Sequence, residues 1–455
     1  MRSDPFPRSC LMVARQVILG ARSIPGCPRA TIPATPVRPD GRLPLLVVPY
    51  GSRVPPLQLA EVASGLCRIL WLFDESLPEN ASLKPLLTRV GTVVNVAGLS
   101  PEETASVLRE HSPDGVVAYG DKDIEALSRV AFELGLHYHT PQVARNLLDK
   151  LSQREALRNG GLASPLCWTV PTDRSPAGLA ALAEAVDFPA VLKPRTGTGS
   201  RYAMLVADAD ALVSQVANLP PQAVGGKGMF VEQYLPGLTT GRSGRFADFV
   251  SVESLVAHGG ISHLAVNGRL PFAEPFRETG TFIPADLSPA QQAAVFQLAG
   301  EALRALGVET GFCHTEIKLT PDGPRVIEVN GRLGGGVHEM LLRASSVSLL
   351  ELSIRAALGK PVVVEGPIPC DAVGWRLMRQ PPTSARRIAK VEGLGRLAKL
   401  AGVDTVFLNR APGDAIDWRE GTGDFVFDAT GVSADHEGLL EVNRFLHEEI
   451  SVEYD

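Results

Sequence analysis

HTEIKLTPDGPRVIEVNGRLGGG, residues 314–336, sets two β-rich runs on either side of Pro321, Asp322 and Gly323. Those three residues suit a type I turn followed by a glycine in the left-handed conformation, a three-residue hairpin loop closed by Thr320 and Pro324. Counting back from that closure places Glu316 opposite Glu328. Side chains alternate faces along a strand, so Asn330 shares the face of Glu328 while Ile327 and Val329 turn to the other side. Two facing acids repel unless a cation lies between them. Two carboxylates and an amide oxygen suit a hard cation such as magnesium, which leaves its other positions to water and phosphate. Glu316, Glu328 and Asn330 are therefore expected to hold a metal, and Arg332 with the glycines Gly334, Gly335 and Gly336 follows directly. An ordinary solvated acidic face seldom runs into such a sequence.

Upstream, short apolar runs alternate with helix-like stretches: LPLLVVPYG, RILWLFD, GTVVNVAG and DGVVAYGD from residue 43 onward. Strand–helix–strand alternation implies a parallel sheet, so residues 43–145 read as a Rossmann-like lobe. Its first strand is followed by PYGSRVPP rather than GxGxxG, which disfavours dinucleotide binding. A charged helix in LDKLSQREALRNGG (148–161) opens a second lobe, with the strand FPAVLKP, the glycine-rich turn RTGTGSR, a helix from Asp208 and the strand MFVEQYL. Beyond it come the β-meander FADFVSVESLVAHGGISHLAV and a helix over 288–306, then a tail with a last helix over 434–449. The expected domains are 43–145, 146–236, 237–360 with the metal hairpin, and an α+β subdomain over 361–455.

At 455 residues the chain suggests about three domains. Its 45% apolar and 21% charged residues match a globular protein. A net charge of -6 argues against nucleic acid as a partner. The apolar stretch from Leu341 to Leu358 is broken by Arg343, Glu351 and Arg355, so it reads as a buried amphipathic helix and no membrane span is expected. Six scattered cysteines without CxxC spacing indicate reduced thiols and a cytoplasmic location. Residues 1–42, rich in Pro and Arg and devoid of Lys, are expected to be a disordered extension. His137 and His139 alternate on what reads as a short strand, a weak metal signal without a third ligand.

The motifs resemble those of the ATP-grasp superfamily, and more narrowly its carboxylate–amine ligase branch, which includes L-amino-acid ligases and related peptide ligases. The likeness runs from about residue 43 to the C-terminus. It rests on Asp149-Lys150, FPAVLKPRTGTGS, VEQYLPG, RETGTFIP and GFCHTEIKLTPDGPRVIEVNGRLGGG in that order. The resemblance implies a mixed α/β and α+β architecture: the ATP-grasp fold, an N-terminal Rossmann-like (pre-ATP-grasp) lobe and a small C-terminal α+β lobe. It further implies ATP and magnesium, with manganese as a substitute, and small-molecule carboxylate and amine substrates such as amino acids or peptides. Dimers are common among such enzymes, as is a place in natural product biosynthesis.

Residue by residue, the likeness assigns Lys150 and Lys193 to the ATP phosphates. Gly197, Gly199 and Ser200 match the mobile loop over them, where backbone N–H groups approach oxygen closely. Glu232 and the backbones of Gln233 and Leu235 match the hinge that reads adenine. The family's ribose acid usually follows the PG of this hinge closely; here Asp248 is the best match, and the intervening GRSGRF reads as a flexible lid. Glu278 matches an acid near the substrate amino group, with Arg269 or Arg277 as competing partners, and Thr281 stands where many relatives have histidine. Arg332 is the residue expected to hold the acyl phosphate or carboxylate, beside Gly334, while Lys193 shares its catalytic role. The implied reaction passes through an acyl phosphate and releases ADP and phosphate. A biotin-carboxylase-like enzyme and a non-catalytic nucleotide-binding protein are the alternatives.

Overall fold

The computed structural model describes residue 38 and residues 40–51, 54–80, 82–220, 223, 227–238, 245–362, 364 and 366–455. Residues 1–37 and 39 of the expected N-terminal extension, and residues 241–244 of the GRSGRF insertion, lie outside the described residues. The chain forms two compact units, one of residues up to Tyr138 with Leu350–Val364, the other of His139–Leu349 with Glu365–Asp455.

The first unit is built on β1 (Leu45–Pro49), β2 (Arg68–Phe73), β3 (Thr92–Asn95) and β4 (Gly115–Val116), a parallel sheet in the order β3-β2-β1-β4. Every residue of β1 is buried, as continuous apolar runs require when helices cover both faces of a parallel sheet. The helix Leu349–Ala357 packs here: Tyr119 Oη and Ser353 Oγ are 2.7 Å apart. The apolar run from Leu341 is thus not one helix but two, Val337–Ser345 and Leu349–Ala357, interrupted at Ser346 with φ 62°. Among the described residues no helix is long and apolar enough to cross a membrane.

The second unit holds a four-stranded sheet of β5 (Cys167–Thr169), β6 (Ala190–Pro194), β7 (Met204–Val206) and β8 (Met229–Gln233), ordered β5-β8-β6-β7 and antiparallel. Leu192, Val231, Leu182 and Leu212 fill its core. The larger sheet comprises β9 (Phe249–Ala257), β10 (Gly260–Arg269), β11 (Gly280–Ile283), β12 (Gly311–Thr320), β13 (Gly323–Asn330) and β14 (Val373–Met378), continued by two later strands. β15 (Ile388–Glu392) pairs with β18 (Ser451–Tyr454) in a ribbon apart, while β16 (Val403–Leu408) and β17 (Phe427–Ser433) complete the order β13-β12-β9-β10-β11-β14-β17-β16. One face of β9, β10 and β12 buries Val250, Val252, Val266, Ile317 and Leu319 against the helix Pro289–Leu306. The opposite face carries Ser251, Glu253, Asn267, His314 and Glu316 beside Phe249 and Leu255, and it is the side of the expected metal residues. The mixed α/β and α+β class expected from sequence is the class observed.

The hairpin reaches its expected pairing by an unexpected route. Gly323 has φ 98°, but the strands close with Thr320 opposite Gly323 and Leu319 opposite Pro324, one residue off the expected register. A β-bulge then leaves Ile327 unpaired and shifts the register back, so that Glu316 does face Glu328.

Candidate active site

β12 and β9 place Glu253 beside His314 and Ser251 beside Glu316; β10 adds Asn267 beside Ser251. On the hairpin, His314 faces Asn330. A polar row therefore runs from the edge strand inward. Glu253 is fully buried and accepts from Asn267 Nδ2 at 2.7 Å, from the backbone N–H of Gly334 at 3.3 Å and from His314 Nδ1. Burial alone would disfavour the His314 cation, but Glu253 and Glu316 outweigh it and raise its pKa to about 9. Its Nε2 lies 3.6 Å from Glu316. Burial would likewise raise the Glu316 carboxyl, yet His314, Arg269 and Arg332 hold it below its usual range.

Lys150 is the residue that ties the expected metal residues to the expected phosphate loop. Its ammonium lies 2.9 Å from Glu328 Oε1 and donates to the carbonyl of Gly197 at 2.8 Å. It opens the helix Lys150–Asn159, whose N-cap Asp149 accepts from Leu151 N and pairs with Arg195 Nη2 at 2.6 Å. Further along the helix, Gln153 donates to Val329 O at 2.9 Å and accepts from Val329 N at 2.8 Å. Arg154, wholly buried, donates to Ile327 O and, through Nε, to Glu232 at 2.7 Å. Lys193 meets the other oxygen of Glu232. Burial would raise the Glu232 carboxyl, but Arg154 and Lys193 prevail and bring it to about 2.

The remaining expected residues fall around this core. Gly197 and Gly199 have φ of 119° and 68°, and Ser200 shares the left-handed region at 58°. A Cβ on either glycine would meet nothing within 4 Å, so glycine is needed there for conformation and not for space. Gln233 engages Leu166 by its backbone N–H, and Leu235 lies half-buried just past β8. Asp248 pairs with Lys318 at 2.6 Å, and a Cβ on Gly237 would collide with its carboxylate. The acid is thus adjacent in space to the hinge despite the intervening insertion. Arg332 is buried beside Asn330 Oδ1 at 3.4 Å. Glu278 is held by Arg269 Nε at 2.7 Å, and Thr281 Oγ1 accepts from the same guanidinium at 3.0 Å.

Two opposed carboxylates with Asn330 suit a hard cation; among the described residues no group of three or more His, Cys, Asp or Glu is placed to hold a metal ion by itself, and amide and phosphate oxygens would have to complete the shell. His137 and His139 find no third ligand among the described residues, and residues 136–139 form no strand. Sequence reading missed Gln153, Arg154, Ser251, Glu253 and Asn267; the alternation of Ser251 and Glu253 with Val250 and Val252 was the available signal.

No protein-family model matches the chain. It is 29% identical over 263 residues to Carnosine synthase 1 of Homo sapiens, covering 54% of this chain and 31% of that one. It is 25% identical over 250 residues to the Alanine–anticapsin ligase of Bacillus subtilis (strain 168), covering 51% of each. The match therefore spans from about a third to about half of the length of these curated relatives. Among solved structures, an L-amino acid ligase from Bacillus licheniformis superposes with a TM-score of 0.70 at 22% identity, over 90% of this chain and 99% of that one.

Proposed function

We propose that this chain, a relative of the ATP-grasp carboxylate–amine ligases with the fold of those enzymes, joins a carboxylate to an amine at the expense of ATP. The carboxylate would be an amino acid or similar acid, and the amine an amino acid or peptide. A carboxylate oxygen attacks the γ-phosphorus, the bond to the bridging oxygen breaks and ADP leaves. The amine nitrogen then attacks the acyl carbon, phosphate departs and the amine gives up a proton. The observation that carries this reading is Lys150, whose ammonium touches both Glu328 of the hairpin and Gly197 of the glycine-rich loop.

Magnesium held by Glu316, Glu328 and Asn330 would neutralise charge on the transferring phosphoryl group. Lys150 and Lys193 bring fixed positive charge to the phosphates. Arg332, buried next to Asn330, is suited to hold the acyl phosphate or carboxylate by its planar fork. Glu253 fixes the loop carrying Gly334 and, through His314, orients Glu316. Glu278 enters as one half of a pair with Arg269, so its charge toward a substrate ammonium is partly balanced.

The test is incubation with ATP, magnesium and paired amino acids, reading ADP, phosphate and the mass of the amide. ADP release that requires both substrates and yields an amide is expected. AMP as product, or bicarbonate-dependent phosphate release without any amine requirement, would overturn it; the latter would favour a carboxylase.

A further inference from the structure

The glycine-rich loop is fastened by residues 417–424, which lie in the same compact unit. The backbone N–H of Thr422 donates to Gly199 O at 2.8 Å, and that of Tyr202 donates to Arg419 O at 2.7 Å. Tyr202 Oη donates to Glu420 at 3.0 Å, and Trp418 packs against the core behind the loop. Arg201 also pairs with Glu420 at 2.7 Å, but both side chains are more than a third exposed and the pair counts for little.

Between these contacts Gly421 has φ 74° and ψ −151°, a conformation almost confined to glycine. A Cβ there would run into Gly199 O and Arg201 N. The segment is therefore shaped for close backbone approach to the loop. On its other side, Thr422 Oγ1 accepts from the backbone N–H of Glu278 at 3.1 Å. Gln380 Nε2 donates to both Glu278 O at 2.8 Å and Thr422 O at 3.1 Å.

We propose that residues 417–424 are a latch that sets the position of the phosphate loop, and that Thr422 is a positioning residue coupling the loop to the Glu278 end of the site. What the loop and Glu278 bind rests on the ligase reading; the latch itself does not. A latched loop keeps water from a reactive acyl phosphate, so loosening it lets phosphate be lost without an amide.

The full chain and the variants Gly421→Ala, Thr422→Val and Thr422→Ser are compared by trypsin cleavage after Arg195 and Arg201, by ADP formed per amide and by thermal unfolding. Gly421→Ala is expected to be cut about tenfold faster at these sites with little change in unfolding temperature, as loss of one or two net hydrogen bonds allows. Its ADP-to-amide ratio should rise. Thr422→Val keeps the backbone bond to Gly199 but loses the link to Glu278; it should raise the ratio with a smaller change in cleavage, and Thr422→Ser should restore both. Should Gly421→Ala not fold, the Thr422 pair decides. Cleavage and ratio equal to the parent chain in Gly421→Ala, or Thr422→Ser as impaired as Thr422→Val, would overturn the latch. A parent chain that makes no amide would instead sink the ligase reading, while the cleavage comparison still judges the latch.

Discussion

Replacing Glu232 by Gln removes the buried anion that pairs with both the wholly buried Arg154 and the half-buried Lys193. The size of the effect follows from two arguments. The fall of the carboxyl from an ordinary 4.5 to about 2 corresponds to about 3 kcal/mol at 1.36 kcal/mol per pH unit. Breaking a buried ion pair and leaving its partner uncompensated costs about 3–5 kcal/mol in comparable cases. The two agree. Because the folded carboxyl is the more acidic, its contribution is fully present above pH 4.5 and is lost as the pH falls toward 2. By pH 3 about half should be gone. Thermal unfolding at pH 7 should show the variant about 3–8 °C less stable, with the gap narrowing between pH 5 and 3. A gap independent of pH, or no gap together with a raised KM for ATP, would refute the ion-triad argument and leave Glu232 as a contact of the base alone.

Glu328→Ala should lower kcat by about a hundredfold or more and raise the magnesium concentration needed for turnover, read from a metal titration at saturating ATP. Unchanged activity would remove the hairpin from the site. Gln153→Leu strands the buried N–H and C=O of Val329, so urea unfolding should show a loss of about 2–4 kcal/mol. Glu253→Ala removes the buried partner of His314, Asn267 and the Gly334 N–H and should destabilise by about 3–5 kcal/mol in the same assay. Gly237→Ala pushes a methyl into the Asp248 carboxylate, and the KM for ATP should rise about tenfold if that acid holds the ribose.

The hairpin shows how far local rules reach. Turn chemistry at Pro321, Asp322 and Gly323 and the two-residue period of strands were enough to face Glu316 with Glu328. They do not report the bulge at Ile327, because a bulge depends on what the partner strand and the neighbouring helix require. The same limit applies to Asp248. Its distance along the chain from the hinge obscured a contact that only the space at Gly237 reveals. The polar faces of β9 and β10 were written in the alternation of Ser251 with Val252 and of Asn267 with Val266, but an alternating strand is as often half solvated, and burial decides between the two.

The helix Lys150–Asn159 was the harder case, and its reason is physical. Lys150, Gln153 and Arg154 lie at spacings of three and four, the stripe a helix turns toward its neighbour, and all three are buried. Read alone, so polar a stripe belongs to solvent. Its partner here is not a hydrophobic surface but β13, an edge strand with backbone groups that no further strand satisfies. The Gln153 amide offers one donor and one acceptor, the pair that Val329 lacks, while Arg154 caps Ile327 and neutralises Glu232. An apolar stripe would leave those groups unpaired beside Glu328 and Asn330. Polar side chains on that helix are therefore what hold Glu328 and Asn330 in register at the rim of the sheet, the carboxylate and amide that the proposed metal site would need.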